Sequence, residues 1–207
     1  AQVPAARALA LKATWAPLLS AFVQDALGEF EQSLSIEGAP RLTPLVALGR
    51  FGEAVAAARE LADAAPEDRG AAVDLMRTLS WAGRHDEVLA LYRERWADLA
   101  ALDAYFRVTE TAPMEFIATA QRAQGHAPEL AQTLAHWRKR LDFLREQGTD
   151  NGPFLMGEAR YFALAGERTQ ALTTLTQAID RGVRNPLLVR EPAFAELQGD
   201  PDFRAQV

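Results

Sequence analysis

Four glycines constrain this chain more than any other feature. Gly49, Gly83, Gly125 and Gly166 follow one another at spacings of 34, 42 and 41 residues. Four positions after each stands Glu53, Glu87, Glu129 or Gln170, and one position later Ala54, Val88, Leu130 or Ala171. Nine and twelve positions after each come Ala58 and Leu61, Tyr92 and Arg95, Leu134 and Trp137, and Leu175 and Ala178, which apart from Arg95 make one apolar helical face. A second stripe ends just before three of the glycines, at Leu42, Leu45 and Leu48, at Met76, Leu79 and Ala82, and at Ala159, Phe162 and Ala165. The repeating unit is therefore helix, tight turn, helix. Glycine suits the joint because it takes positive φ at little cost, and an acidic residue in the next first turn complements the helix dipole.

Stretches such as "LGRFGEA" and "AGRHDEV" at a 34-residue period resemble the tetratricopeptide repeat. Gly49, Arg50, Phe51, Glu53 and Ala54 fit its turn pattern, and Pro66 falls where that family ends its second helix. Gly83, Arg84, Asp86 and Glu87 fit as well, with His85 in the aromatic slot. Gly166, Glu167, Ala171 and Ala178 match in part. The match covers residues 42–98 most fully and 152–182 partly, while around Gly125 Pro128 replaces the usual acidic residue. Pro40 and Pro44 are expected to shorten the first helix of the first unit, since proline clashes inside a helix. The resemblance implies an all-α, right-handed α-solenoid of tetratricopeptide-like hairpins with a C-terminal capping helical segment.

Residues 1–40 read as an N-terminal helical pair split near Pro17, with Trp15, Leu18, Leu19, Phe22, Leu27 and Phe30 as core candidates. Residues 41–182 hold the repeats. Residues 183–207 read as a cap: Glu191-Pro192-Ala193-Phe194 recurs as Asp200-Pro201-Asp202-Phe203, an acidic residue before proline each time, with Phe194, Leu197 and Phe203 turned inward. Solenoids need such ends for solubility.

Composition supports helix and excludes several functions. About a fifth of the residues are alanine, the strongest helix former, and β-branched alternation is scarce. A net charge of -6 and a pI near 5.2 argue against a nucleic-acid coat, which needs a concentrated cationic face. The absence of cysteine removes disulfide and thiolate-metal chemistry and leaves both sides of a bacterial inner membrane open. No run approaches the roughly 20 apolar residues of a spanning helix, so a soluble chain without membrane insertion is expected. The start at "AQVPAAR" fits a mature form or an excised piece of a longer protein.

Catalytic signatures are missing. G-x-S-x-G, the phosphate-binding G-x-x-x-x-G-K-[ST] and G-x-G-x-x-G do not occur, and His85, His126 and His136 lack the spacing of a helical metal pair. No catalytic residue, metal or cofactor is expected. Around "HWRKRLDF", residues 136–143, Trp137, Leu141 and Leu144 share a helical face with Leu134 while Arg138, Lys139 and Arg145 point elsewhere, which favours a solvated outer face over nucleic-acid binding.

The resemblance implies a protein- or peptide-binding scaffold or sensory module of a bacterial multidomain regulator. Its concave face would carry Arg77, Trp81, Glu115, Thr119, Arg122 and Arg160. Three arginines in successive units would form a cationic stripe for an acidic segment or a C-terminal carboxylate, because guanidinium forks bind carboxylates bidentately. On that reading, charge reversal at Arg77 and Arg160 lowers binding and leaves thermal stability unchanged. A competing reading is a small-ligand-binding domain or enzyme with a pocket near Trp81, Tyr105, Phe106 and Tyr161. A third is a homo-oligomer packed through its end helices.

Overall fold

A computed structural model describes residues 18–25, 27–105 and 112–207, and every regular element among them is helical. In chain order these are α1 (18–25), α2 (Phe30–Ser35), α3 (Leu42–Ala47), α4 (Phe51–Ala64), α5 (Arg69–Trp81), α6 (His85–Arg95) and α7 (Leu99–Tyr105). There follow α8 (Ala112–Ala123), α9 (Ala127–Glu146), α10 (Gly152–Ala165), α11 (Arg168–Asp180), two 3-10 turns (Leu188–Arg190 and Pro192–Leu197) and α12 (Pro201–Gln206).

The four glycine joints are built alike. Gly49, Gly83, Gly125 and Gly166 have φ of 72, 69, 71 and 79°. At each, the glycine N–H and the next N–H bond back into the preceding helix: Gly49 N to Val46 O at 3.0 Å and Arg50 N to Leu45 O at 2.9 Å, with the same pair at the other three. This double closure satisfies carbonyls that the helix end would leave open, and it requires a left-handed residue at the joint. Each hairpin is then fixed by local chemistry. The first helices α3, α5, α8 and α10 pack on one another in chain order, forming an inner row. The second helices stand behind them, with α4 on α5, α6 on α8 and α9 on α10.

The uneven spacing has two physical sources. Helix α7 is inserted between α6 and α8, which lengthens the interval to Gly125; α9, at 20 residues, is longer than the 14-residue α4 and lengthens the next. Pro128 sits in the first turn of α9, where its missing N–H is harmless. Pro44 lies inside α3, which has only six residues, as the proline pattern predicts.

Trp137, Met76, Leu79, Ile117, Leu175, Phe194 and Phe203 are among the fully buried side chains of the core. Two apolar expectations fail. Leu61 is exposed, because α4 buries the face carrying Val55, Ala58 and Ala62. Leu19, Phe22 and Leu27 are also exposed: the apolar residues of this segment spread around most of the helix circumference, and the buried face is the one bearing Ala21. Leu18 and Phe30 are half-buried, while Trp15 and Pro17 lie outside the described residues.

The C-terminal segment does more than cover the last hairpin. After α11, residues 185–197 turn back across the inner row as a strap. Leu187 joins Leu45, Val46, Ala47 and Ala54 in a second apolar cluster, and Arg190 donates from Nη2 to the Ala47 carbonyl at 2.6 Å across 143 residues of sequence. Phe194 and Leu197 enter the main core, and Phe194 stacks on Phe203 with centroids 5.5 Å apart. Asp200 caps α12, accepting from Asp202 N at 2.9 Å, and Arg168 holds it against α11. Chain reversal into the strap depends on a close approach at Gly152. A Cβ there would meet Val183 Cγ2 at 2.7 Å and the carbonyl oxygens of Arg181 and Ala178 at 3.3 and 3.5 Å. Gly152→Ala is expected to destabilise the chain by about 1–3 kcal/mol in denaturant titration, since backbone must move to admit the methyl group.

Candidate functional site

Residues of the inner row converge on one pocket of about 270 Å³. Helix α3 contributes Leu42, Thr43 and Val46; α5 contributes Arg77, Thr78 and Trp81; α8 gives Glu115 and Phe116; and α10 gives Arg160. The strap closes it with Asn185, Leu187 and Glu191. Asp68 caps helix α5, its side chain accepting from Gly70 N at 2.8 Å, and so fixes the start of the helix that carries Arg77, Thr78 and Trp81. Thr78 bonds back to the Asp74 carbonyl at 2.7 Å, and Arg77 pairs with the Asp74 carboxylate at 2.8 Å. The side chain of Arg77 is 44% exposed.

The six residues expected on the groove wall divide. Arg77, Trp81, Glu115 and Arg160 line the pocket together. Thr119 is buried beside them in sequence but not on the pocket, its hydroxyl without a hydrogen-bond partner. Arg122 is taken up by the strap, bonding Glu196 through Nε at 2.7 Å and the Leu164 carbonyl through Nη1 at 2.7 Å. Of the expected cationic stripe, Arg77 and Arg160 share the pocket and Arg122 stands apart from it. Arg160 holds Glu191 through Nε and lies 3.4 Å from Glu115, so all three arginines already bind carboxylates of their own chain, Arg77 the exposed Asp74, Arg122 Glu196 and Arg160 the buried pair.

Sequence reading missed Asn185, Leu187, Glu191 and Glu196. Glu191 and Glu196 meet arginines 31 and 74 residues away, pairings without a local signature. Their spacing of five across a proline was the available clue, read instead as a helix start.

The buried charges are tightly coupled. Glu115 and Glu191 are each more than nine-tenths buried. Burial pushes the Glu115 carboxyl up to about 8; Arg160 opposes this, while Glu191, in hydrogen-bonding contact, adds to it. Burial alone would lower the Arg160 pKa, but Glu115 and Glu191 together raise it above its ordinary value, so the guanidinium stays charged. Glu196, on the outer side of the strap, is held below the usual carboxylate range by its hydrogen bonds to Arg122.

The alternative grouping around Trp81 and Tyr161 does not form. Tyr161 faces the opposite side of α10, edge-on to Trp137 with centroids 5.7 Å apart, while Trp81 stands on the pocket; Phe106 and the Tyr105 side chain lie outside the described set. Trp137 is fully buried, and Arg138 lies 5.9 Å over the Tyr161 and Phe162 rings. Arg140 lies 5.8 Å over Phe143, so the basic run spends Trp137 and both its arginines on aromatic packing. His136 bonds Asp103 at 2.5 Å, and His85 is the half-buried first residue of α6, its pKa lowered by burial. Among the described residues, no helix is long and apolar enough to cross a membrane. No protein-family model matches the chain, and neither a curated protein nor a solved structure is significantly similar to it.

Proposed function

We propose that this chain is a protein- or peptide-binding module, a right-handed solenoid of tetratricopeptide-like hairpins closed by its own C-terminal strap. The reading is supported by four identical glycine joints and by first helices that pack in chain order. The observation that carries it is the pocket where Arg77 and Arg160 stand beside Leu42, Val46, Phe116 and Leu187. Basic groups at the edge of an apolar wall suit a carboxylate attached to an apolar body. Because residues 185–197 fill the rest of the inner row, the partner enters end-on, as a chain terminus, rather than lying along a groove. Such a module would serve as the sensory or scaffold segment of a larger regulator.

A second reading, a small-ligand-binding domain, is favoured by the closure of the pocket on the strap side. One titration separates the two. N-acetyl-Ala-Ala-Leu as the free acid is expected to bind at least tenfold more tightly than its C-terminal amide, and more tightly than 4-methylpentanoate, which has the same head without a peptide. Tighter binding of 4-methylpentanoate would transfer the site to the second reading, and equal binding of acid and amide, or no binding, would overturn the first. Arg77→Ala is expected to weaken the tripeptide about tenfold, about 1.4 kcal/mol, with the melting temperature unchanged, because an exposed ion pair contributes little to stability. A fall in melting temperature of several degrees would make Arg77 structural instead.

A further inference from the structure

Glu115 of α8 and Glu191 of the strap meet in the wall of the pocket with Arg160 of α10 against both. Arg77 of α5 is the next charged group on the wall; α3 presents only Leu42, Thr43 and Val46. The strap also supplies Asn185, whose Nδ2 donates to Glu191 Oε2 at 3.2 Å. Four ionisable side chains therefore border the cavity, two cations and two carboxyls. Their sum turns on one proton. With both carboxyls ionised these four sum to zero, and with one proton between them to a single positive charge; Asp74, paired with Arg77 at 2.8 Å, stands outside the cavity lining.

We propose that the pocket binds a singly charged anion together with that proton, so that occupancy of the site and protonation of the Glu115–Glu191 pair are coupled. The proposal rests on the binding reading above and adds to it the charge of the ligand and a response to pH. Glu115 and Glu191 are both buried against the single Arg160 guanidinium, and an anion arriving beside them unprotonated would face two buried negative charges in a medium where charges interact strongly. Arg160 is held in place by the pair and supplies the fixed counter-charge. Below about pH 8 the proton is already present and binding is insensitive to pH. Above it, each anion bound must bring a proton from solution, and affinity falls toward tenfold per pH unit. By reciprocity the anion raises the pKa of the pair by the same coupling.

The test is calorimetric titration of the full chain with N-acetyl-Ala-Ala-Leu between pH 6.5 and 9.5. The peptide carboxylate and Arg160 keep their charge throughout this range. Wild type is expected to hold its affinity within about twofold from pH 6.5 to 7.5 and to lose about thirtyfold by pH 9.5. Glu115→Gln, whose carboxamide is neutral at every pH, is expected to lose that decline. Titration of wild type at pH 9 in two buffers of different ionisation enthalpy should show uptake approaching one proton per peptide bound. Equal pH profiles in wild type and Glu115→Gln, or no proton uptake at pH 9, would overturn the coupling while leaving the binding reading intact. Absence of binding at every pH would remove both.

Discussion

Replacing Arg160 by methionine is expected to destabilise the chain by about 3–5 kcal/mol, the cost of leaving buried carboxyls without their counter-charge. Glu115 and Glu191 both lean on this one guanidinium, and Glu191 is on the strap, so the substitution should also loosen residues 185–197 from the inner row. In thermal unfolding the loss corresponds to a fall on the order of 10 °C for a chain of this size. Charge reversal at Arg160 should be at least as damaging, in contrast to the expectation drawn from its place on a binding wall. Pairing Arg160→Met with Glu115→Gln should recover part of the loss, because one of the stranded acids is then neutral. A loss below about 1 kcal/mol would show that solvent, not Arg160, satisfies the two acids, as for an exposed pair.

The second large effect is a decline in stability as pH rises through neutrality. Glu115 titrates near 4.5 when unfolded and near 8 when folded. Between those values the folded chain holds a proton that the unfolded chain has lost, so folding becomes less favourable by up to about 1.4 kcal/mol per pH unit. The contribution is fully present below the unfolded pKa and is gone above the folded one. Urea titrations from pH 5 to 8 should therefore show wild type losing up to about 4 kcal/mol, while Glu115→Gln stays nearly flat and is the more stable of the two at pH 8. Glu53, Asp150, Glu196 and Asp200 are shifted the opposite way, and their contribution is lost only as pH falls below their ordinary range. The two trends place maximal stability near pH 5. Parallel curves for wild type and Glu115→Gln would mean that the Glu115 carboxyl reaches solvent.

What the sequence disclosed was local. Gly49, Gly83, Gly125 and Gly166 announced the four joints because a double carbonyl closure needs a left-handed residue, and the stripes around Met76, Ala159 and Leu175 announced the buried faces of their helices. Asp200 was legible as a cap for the same reason, since its partners lie two and three residues away. The closure of the inner row was not legible. Arg190 reaches the Ala47 carbonyl across 143 residues, and Glu196 reaches Arg122 across 74. Such pairings come from tertiary packing, and helical periodicity carries no trace of them. The grouping was legible in part for that reason: Arg77, Trp81, Glu115 and Arg160, which the resemblance put on one wall, line one pocket, while Asn185, Leu187 and Glu191 belong to a segment with no repeat to align it. Leu19, Phe22 and Leu27 misled in the other direction, being apolar at helical spacing yet exposed.

The strap across α3 and α10 supports both the pocket and the proton it holds, and the absence of native cysteine makes it directly accessible to cross-linking. Thr43 and Val189 are both exposed, one on the pocket rim and the other adjacent in sequence to Arg190, which bonds α3. With cysteine at these two positions, a bismaleimidohexane linker is predicted to join them within one chain under native conditions, to fail in urea, and to raise the melting temperature by closing a loop of more than a hundred residues. A failure to cross-link in the folded chain would mean that the C-terminal segment does not lie across the inner row, and the pocket would have no roof.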